Sequence, residues 1–230
     1  MNLKKEIKIG TVTIGGNHPI AIQSMTNTKT RDIESTVRQI NELAKIGADI
    51  VRMTISNIDD ALAISKIKER TSIPLVADIH FDYRLAIEAV NQGIDKIRIN
   101  PGNIGSHENV KAVVEACKKR NVPIRIGINS GSLEKDLYQK YGGVTPEALL
   151  ESMKRHVELI ESYDYHNLVL SIKATDINTT IKTNQLLNQY FDYPIHVGLT
   201  EAGTINSKVY FPLSNGSITK LTAPFSSVTI

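Results

Sequence analysis

KIRINPGN, residues Lys96 to Asn103, and PIRIGINSG, residues Pro123 to Gly131, alternate residue by residue and then break into small and polar residues. Successive side chains of an extended strand point to opposite faces. Ile97 and Ile99 therefore form one row against Arg98 and Asn100, and Ile124, Ile126 and Ile128 form one row against Arg125, Gly127 and Asn129. A strand with one wholly apolar row and one polar, cationic row suits a sheet covered by helices on one side and enclosing a polar interior on the other. The same split recurs along the chain. Val51 and Met53 oppose Arg52 and Thr54, Leu168, Leu170 and Ile172 oppose Ser171 and Lys173, and Ile195, Val197 and Leu199 oppose His196, Gly198 and Thr200. Gln23 and Met25 from the first run, and Asp78 and His80 from the third, fall in the polar row.

Seven such runs follow one another: Pro19 to Thr26, Ala48 to Ile55, Pro74 to Phe81, Lys96 to Asn103, Pro123 to Gly131, Asn167 to Asp176 and Pro194 to Gly203. Between them lie segments with helical spacing, such as Ile33, Val37, Ile40 and Leu43, or Ala61, Ile64 and Ile67. Strands alternating with one-face helices make a parallel sheet with crossover helices. The long connection after the fifth run holds Thr145, Pro146 and Glu147, a capping residue, a first-turn proline and an acid at the positive helix end, so a helix begins near residue 146. A further helix is expected from near Ser106. Ile7 to Ile14 alternates and runs into Gly15 and Gly16, which predicts an N-terminal hairpin within residues 1–18, placed at the floor of a barrel. The fold class expected is α/β, a TIM-type (β/α)8 barrel over residues 1–204, with seven βα units recognisable and the eighth missing or replaced by the tail. That tail, residues 205–230, is atypical: eight of its 26 residues are Ser or Thr and none is Asp or Glu. Lys208 to Leu213 and Ser226 to Ile230 read as strands, but the composition dictates no single packed arrangement.

Composition bounds the function. At 230 residues, 41% hydrophobic and 22% charged, the chain has the makings of one large core rather than of a disordered, collagenous or coiled-coil protein. A net charge of +3 is too small to imply a nucleic-acid partner. There is no spanning-length apolar run and no signal-peptide pattern near Met1, so a soluble, cytoplasmic protein without a membrane partner is expected. The single cysteine, Cys117, allows no internal disulfide and no cysteine-built metal site; on the helical stretch Val110 to Arg120 it reads as a small buried apolar residue. No dinucleotide fingerprint and no P-loop is present, which argues against nicotinamide and ATP chemistry.

The inward row sets Arg52, Arg98, Arg125 and Lys173 against Asp78. Unpaired buried cations cost several kcal/mol each, so four at the carboxyl ends of four strands point to an anionic ligand that completes the pairing, a phosphorylated or diphosphorylated metabolite. Snorkelling to solvent is the competing reading for any one of them. The turn Asn103 to Gly105 offers a second, weaker place for phosphate.

The runs IQSMTNT (Ile22 to Thr28), VADIHFDYRLA (Val76 to Ala86), KIRINPGNIG (Lys96 to Gly105), IRIGINSGSLE (Ile124 to Glu134), LSIKATD (Leu170 to Asp176) and HVGLTEAGT (His196 to Thr204), in this order, resemble the 4-hydroxy-3-methylbut-2-enyl diphosphate synthases of the methylerythritol phosphate route to isoprenoids. The resemblance spans about Lys5 to Thr204. It implies a TIM-type barrel that binds methylerythritol cyclodiphosphate for reductive ring opening and dehydration to hydroxymethylbutenyl diphosphate. It also implies a [4Fe-4S] cluster on three cysteines and a glutamate in a C-terminal domain, an electron donor such as flavodoxin or ferredoxin, and a homodimer. By motif position the diphosphate-binding residues are Arg52, Arg98, Arg125, Asn129 and Lys173, and the catalytic or substrate-positioning ones are Glu201, Asp78 and His80.

The match stops after Gly203. The cluster cysteines are absent, so this chain is expected to be a truncated or frame-altered copy that binds no cluster or other metal and is inactive on its own. Two other readings compete with the leading one: a pteroate-synthase-like barrel, which also takes a diphosphate ester, and a non-catalytic diphosphate-binding remnant. For single residues a structural role stands beside the functional one. His80 and His196 would look the same as hydrogen-bonded strand residues, and Glu201 would look the same as a helix cap. His18, His107, His156 and His166 are expected to be solvated.

Overall fold

A computed structural model describes residues 4–198, 208–212, 218–222 and 227–229. The chain opens with the hairpin β1 (Ile7–Ile9) and β2 (Val12–Ile14), paired antiparallel with Ile7 opposite Ile14. Six strand–helix units follow: β3 (Ala21–Met25) and α1 (Ile33–Lys45), β4 (Ile50–Thr54) and α2 (Ile58–Lys68), β5 (Leu75–Asp78) and α3 (Tyr83–Asn91). Next come β6 (Lys96–Ile99) and α4 (His107–Arg120), β7 (Ile124–Asn129) with α5 (Lys135–Tyr141) and α6 (Pro146–Glu161), then β8 (Leu168–Lys173) and α7 (Ile177–Tyr190). Four more strands complete the described elements: β9 (His196–Gly198), β10 (Lys208–Pro212), β11 (Ile218–Thr222) and β12 (Ser227–Thr229). The residues that follow β9, where a seventh unit would carry its helix, are outside the described residues.

Local signals start the helices, and α6 and α4 begin where the sequence places them. Asp32, Asn57, Asp82, Thr145 and Asp176 each accept a backbone N–H of the following first turn, which satisfies donors that the helix itself cannot. The long connection after β7 is not bare: a 3-10 turn, Ser130–Ser132, and the short α5 fill it before α6 starts at Pro146.

The sheet runs β8-β7-β6-β5-β4-β3-β12-β9. Its two ends meet, because Leu170 forms a parallel bridge with Ile195 and its N–H donates to Pro194 O at 2.9 Å. The barrel thus closes with β3 to β9 parallel, and with β12 antiparallel to both β3 and β9 in the eighth position. An antiparallel strand satisfies the open edges of β3 and β9 as a parallel one would. The second hairpin, β10 with β11, pairs separately.

The two rows of each strand separate as the alternation demands. Val51, Met53, Ile97, Ile99, Ile124 and Ile126 are buried in the main core with helix residues such as Ile40, Ile64, Val113 and Cys117. Inside the barrel a second, smaller cluster joins Ile50, Val76 and Val169 to Ile7, Ile9 and Ile14 of the hairpin, so β1 and β2 plug the floor. Gly15 permits the chain to leave that plug: its φ is +83°, and a side chain there would collide with the Lys5 carbonyl.

Ile9 is fully buried in this plug. Ile9→Ala is expected to lower the unfolding free energy by about 3 kcal/mol, the usual cost of deleting buried methyl groups and leaving a cavity. Chemical denaturation checks it; a loss under about 1 kcal/mol would mean that the hairpin does not pack into the floor.

Candidate functional site

Above the apolar floor the interior becomes polar within one pleat. Register carries Arg52 beside Met25, Asp78 beside Thr54 and Arg98, Arg98 beside Arg125, and Asn129 beside Lys173, so these side chains share the inward row at the carboxyl ends of the parallel strands. They surround a cavity of about 460 Å³. Of the residues expected at the site, Asp78, His80, Arg52, Arg98, Arg125, Asn129 and Lys173 all line it. Glu201 lies outside the described residues.

Asp78 is the hub. Its carboxylate accepts from Arg98 Nη1 at 3.0 Å and lies 3.5 Å from Arg52 Nε and 3.5 Å from His80 Nε2. Burial alone would raise its pKa, but the His80 hydrogen bond and the charges of Arg52, Arg98 and Arg125 hold it far below the usual carboxylate range. Arg98 also donates to Gly127 O at 3.3 Å, and a side chain at residue 127 would collide with that guanidinium, which is why glycine stands in the middle of β7.

One carboxylate does not satisfy the cations around it. Arg125 is 1% exposed, yet its Nε and Nη1 have no hydrogen-bond partner among the described residues, and neither has Arg52 Nε. Burial first, and then the charges of Arg52, Arg125 and Arg98, lower the Lys173 ammonium to a pKa of about 8. Stranded donors of this kind around an open cavity are what an oxyanion ligand satisfies. Asn129 contributes from the turn: its side chain caps the backbone of Ser132, whose Oγ donates to Asn129 O at 2.9 Å, so the Ser130–Ser132 turn holds it at the rim.

The alternation rule names one further residue that the inward census passed over, Lys96, and it had already placed His196 in the inward row. Lys96 sits one step below Arg98 in the same row and is fully buried, so among the described residues the interior sets five cations against Asp78. His196 is fully buried below the cavity; burial, then the charges of Arg125, Lys96, Arg52 and Lys173, push its imidazolium well below the ordinary range and keep the ring neutral. Of the histidines expected in solvent, His166 is exposed but paired, and His156 is not exposed. His156 is largely buried and faces Glu134 at 3.4 Å, while His166 lies 3.2 Å from the Tyr193 hydroxyl; both pairings cross between elements and leave no trace in local pattern. Cys117 lies in the core of α4, and burial raises its thiol pKa. Among the described residues no group of His, Cys, Asp and Glu is placed to hold a metal ion, and no helix is long and apolar enough to cross a membrane.

Residues 4–211 match the family model described as the GcpE TIM-barrel domain. The chain is 54% identical over 198 residues to the 4-hydroxy-3-methylbut-2-en-1-yl diphosphate synthase (flavodoxin) of Fusobacterium nucleatum, covering 86% of this chain and 56% of that protein. It is 53% identical over 206 residues to the synthase of the same name from Clostridium perfringens, covering 89% and 59%. The chain therefore spans a little over half the length of these relatives. Among solved structures, the Yersinia pestis dihydropteroate synthase superposes with a TM-score of 0.59 at 14% identity, covering 85% of this chain and 76% of that one. Plasmodium falciparum HPPK-DHPS superposes with a TM-score of 0.63 at 14% identity, covering 86% and 40%. At that identity the likeness is one of fold alone, and the pteroate-synthase-like reading is not favoured over the relatives at more than half identity.

Asp78→Asn is expected to cost about 3 kcal/mol of stability at neutral pH, since it strands buried guanidinium groups. The folded pKa of Asp78 is depressed, so its contribution is present above the unfolded-state value of about 4 and fades as pH falls below it. The gap between wild type and variant in denaturant melts should narrow progressively under about pH 4; a constant gap would exclude an ionised Asp78 as the hub.

Proposed function

Because the chain belongs to the GcpE TIM-barrel family, we propose that its barrel mouth binds methylerythritol cyclodiphosphate and holds it for the reductive ring opening and dehydration that yield 4-hydroxy-3-methylbut-2-en-1-yl diphosphate. The observation that carries this reading is the pair of stranded donors on Arg125 at the cavity, beside an Arg52 Nε that has only a long contact to Asp78. The diphosphate supplies the acceptors they lack. Arg98, already oriented by Asp78 and Gly127 O, presents its guanidinium without further ordering, and Lys173 and Asn129 close the rim.

Asp78 serves as a fixed counter-charge. Its depressed pKa makes it a poor proton donor, so it orients Arg98 and Arg52 while His80, nearly half exposed at the rim, is the group placed to exchange a proton with the ligand. Glu201 is assigned a catalytic or positioning role on its motif alone. Flavodoxin, which appears in the relatives' names, is the electron donor we assign to the complete reaction.

A [4Fe-4S] cluster does not fit the residues present. Such clusters need several thiolates, and the one cysteine, Cys117, is buried in the core of α4, away from the barrel mouth. No electron-transfer step is assigned to these residues; their part is to bind, orient and neutralise the diphosphate.

Titration calorimetry with methylerythritol cyclodiphosphate tests the binding. Arg98→Ala and Arg125→Ala are each expected to weaken it by about 2 kcal/mol or more, the loss of a charge-assisted phosphate contact. Unchanged affinity in both would remove the inward row as the site. Treatment of the 230-residue chain with iron and sulfide is expected to give no cluster absorbance and no turnover with a strong reductant. Stoichiometric cluster or measurable product would overturn that division of labour.

A further inference from the structure

Lys96 does not line the cavity, and the binding reading above gives it no task. It is the second-largest of the fully buried side chains, on β6 two residues before Arg98, and the polar contact its Nζ makes with Gln23 Oε1 of β3 is long, at 3.4 Å. A lysine so placed is costly as an ammonium ion unless an opposite charge comes near. The charged and titratable groups around it are cationic or neutral on nearly every strand: Arg52 on β4, Arg98 on β6 itself, Arg125 on β7, Lys173 on β8 and the neutral His196 on β9. Among the described residues, Asp78 on β5 is the sole carboxylate, and it is already engaged by Arg98 and Arg52.

Arginine stays charged in proteins, so an overcharged interior is relieved on its lysines. We propose that Lys96 is the proton store of the anion site, a positioning residue that is a neutral amine while the mouth is empty and takes up a proton from solvent when a multiply charged phosphate ligand occupies it. The ammonium then formed under Arg125 raises the positive potential beneath the ligand. The empty barrel avoids that charge, and the occupied one uses it. Burial, followed by the charges of Arg125 and Arg52, already lowers the Lys96 pKa far below the lysine range, which agrees with the geometry. The proposal rests on the reading of the mouth as an anion site.

The test is calorimetry at about pH 7.5 in buffers of low and high ionisation enthalpy, from which the protons taken up per ligand follow by linkage. The probes are methylerythritol cyclodiphosphate and inorganic sulfate, neither of which exchanges its own protons near neutrality. Wild type is expected to take up about one proton more than Lys96→Met with either probe. Equal uptake overturns the proposal. Sulfate binding without cyclodiphosphate binding would remove the substrate assignment and still decide the Lys96 question; binding of neither would remove both. Should Lys96→Met not fold, the ε-carbon resonances of labelled lysine in the wild type decide it, with the Lys173 signal assigned through Lys173→Met. A second perturbed lysine must move from the amine to the ammonium position on sulfate saturation. A Lys96 signal that is ammonium-like when empty, or amine-like when saturated, contradicts the proposal.

Discussion

Among the described residues, Asp78 is set against Arg52, Arg98, Arg125 and Lys173 inside this barrel, with Lys96 buried below them, and the energetics of the interior follow from that imbalance. A buried ion pair roughly offsets its desolvation, whereas an unpaired buried ion does not. Asp78 can serve two guanidiniums at once, through Arg98 Nη1 and beside Arg52 Nε, and the His80 ring shares the same oxygen as Arg98. Arg125 is left over. Its stranded donors are a standing cost, which the anion proposed for the mouth would offset by accepting from them.

The rest of the architecture makes that cost bearable. Below the charged layer, the hairpin packs Ile7, Ile9 and Ile14 against Ile50, Val76 and Val169, a floor that excludes water from beneath the cations. Around it the outward rows and the helices form one continuous apolar layer. Both raise the strength of every electrostatic interaction in the mouth, favourable and unfavourable alike. Closure matters for the same reason. With β12 seated antiparallel between β3 and β9, the described strands form a ring, and the inward row converges on one axis instead of fanning out along an open sheet.

The barrel and most of its site were legible in the chain because both depend on a period of two. Once KIRIN and IRIGIN are read as strands, the assignment of Arg98, Arg125 and Asn129 to one face follows from pleating alone, and the observed registers carry it across the sheet. The start of α6 was legible for a similarly local reason, since Thr145 caps the turn that follows it. Lys96 obeys the same alternation, but it lies at the first residue of its strand, where pattern alone does not separate strand from the preceding turn.

What the sequence alone determined is therefore what local geometry dictates: the strand faces, the helix caps, the cationic inward row, and the family of motifs that joins them. Tertiary structure decided everything that needs two distant segments to meet. It set which cations share Asp78 and which do not, the burial of Lys96 and His196, the His156–Glu134 and His166–Tyr193 pairings, and the direction of β12. Each of these depends on chain crossings between elements far apart in sequence, for which periodicity carries no signal. A charge pattern says that a cation points inward; only the closed barrel sets how many others meet it there and how few acceptors they must share.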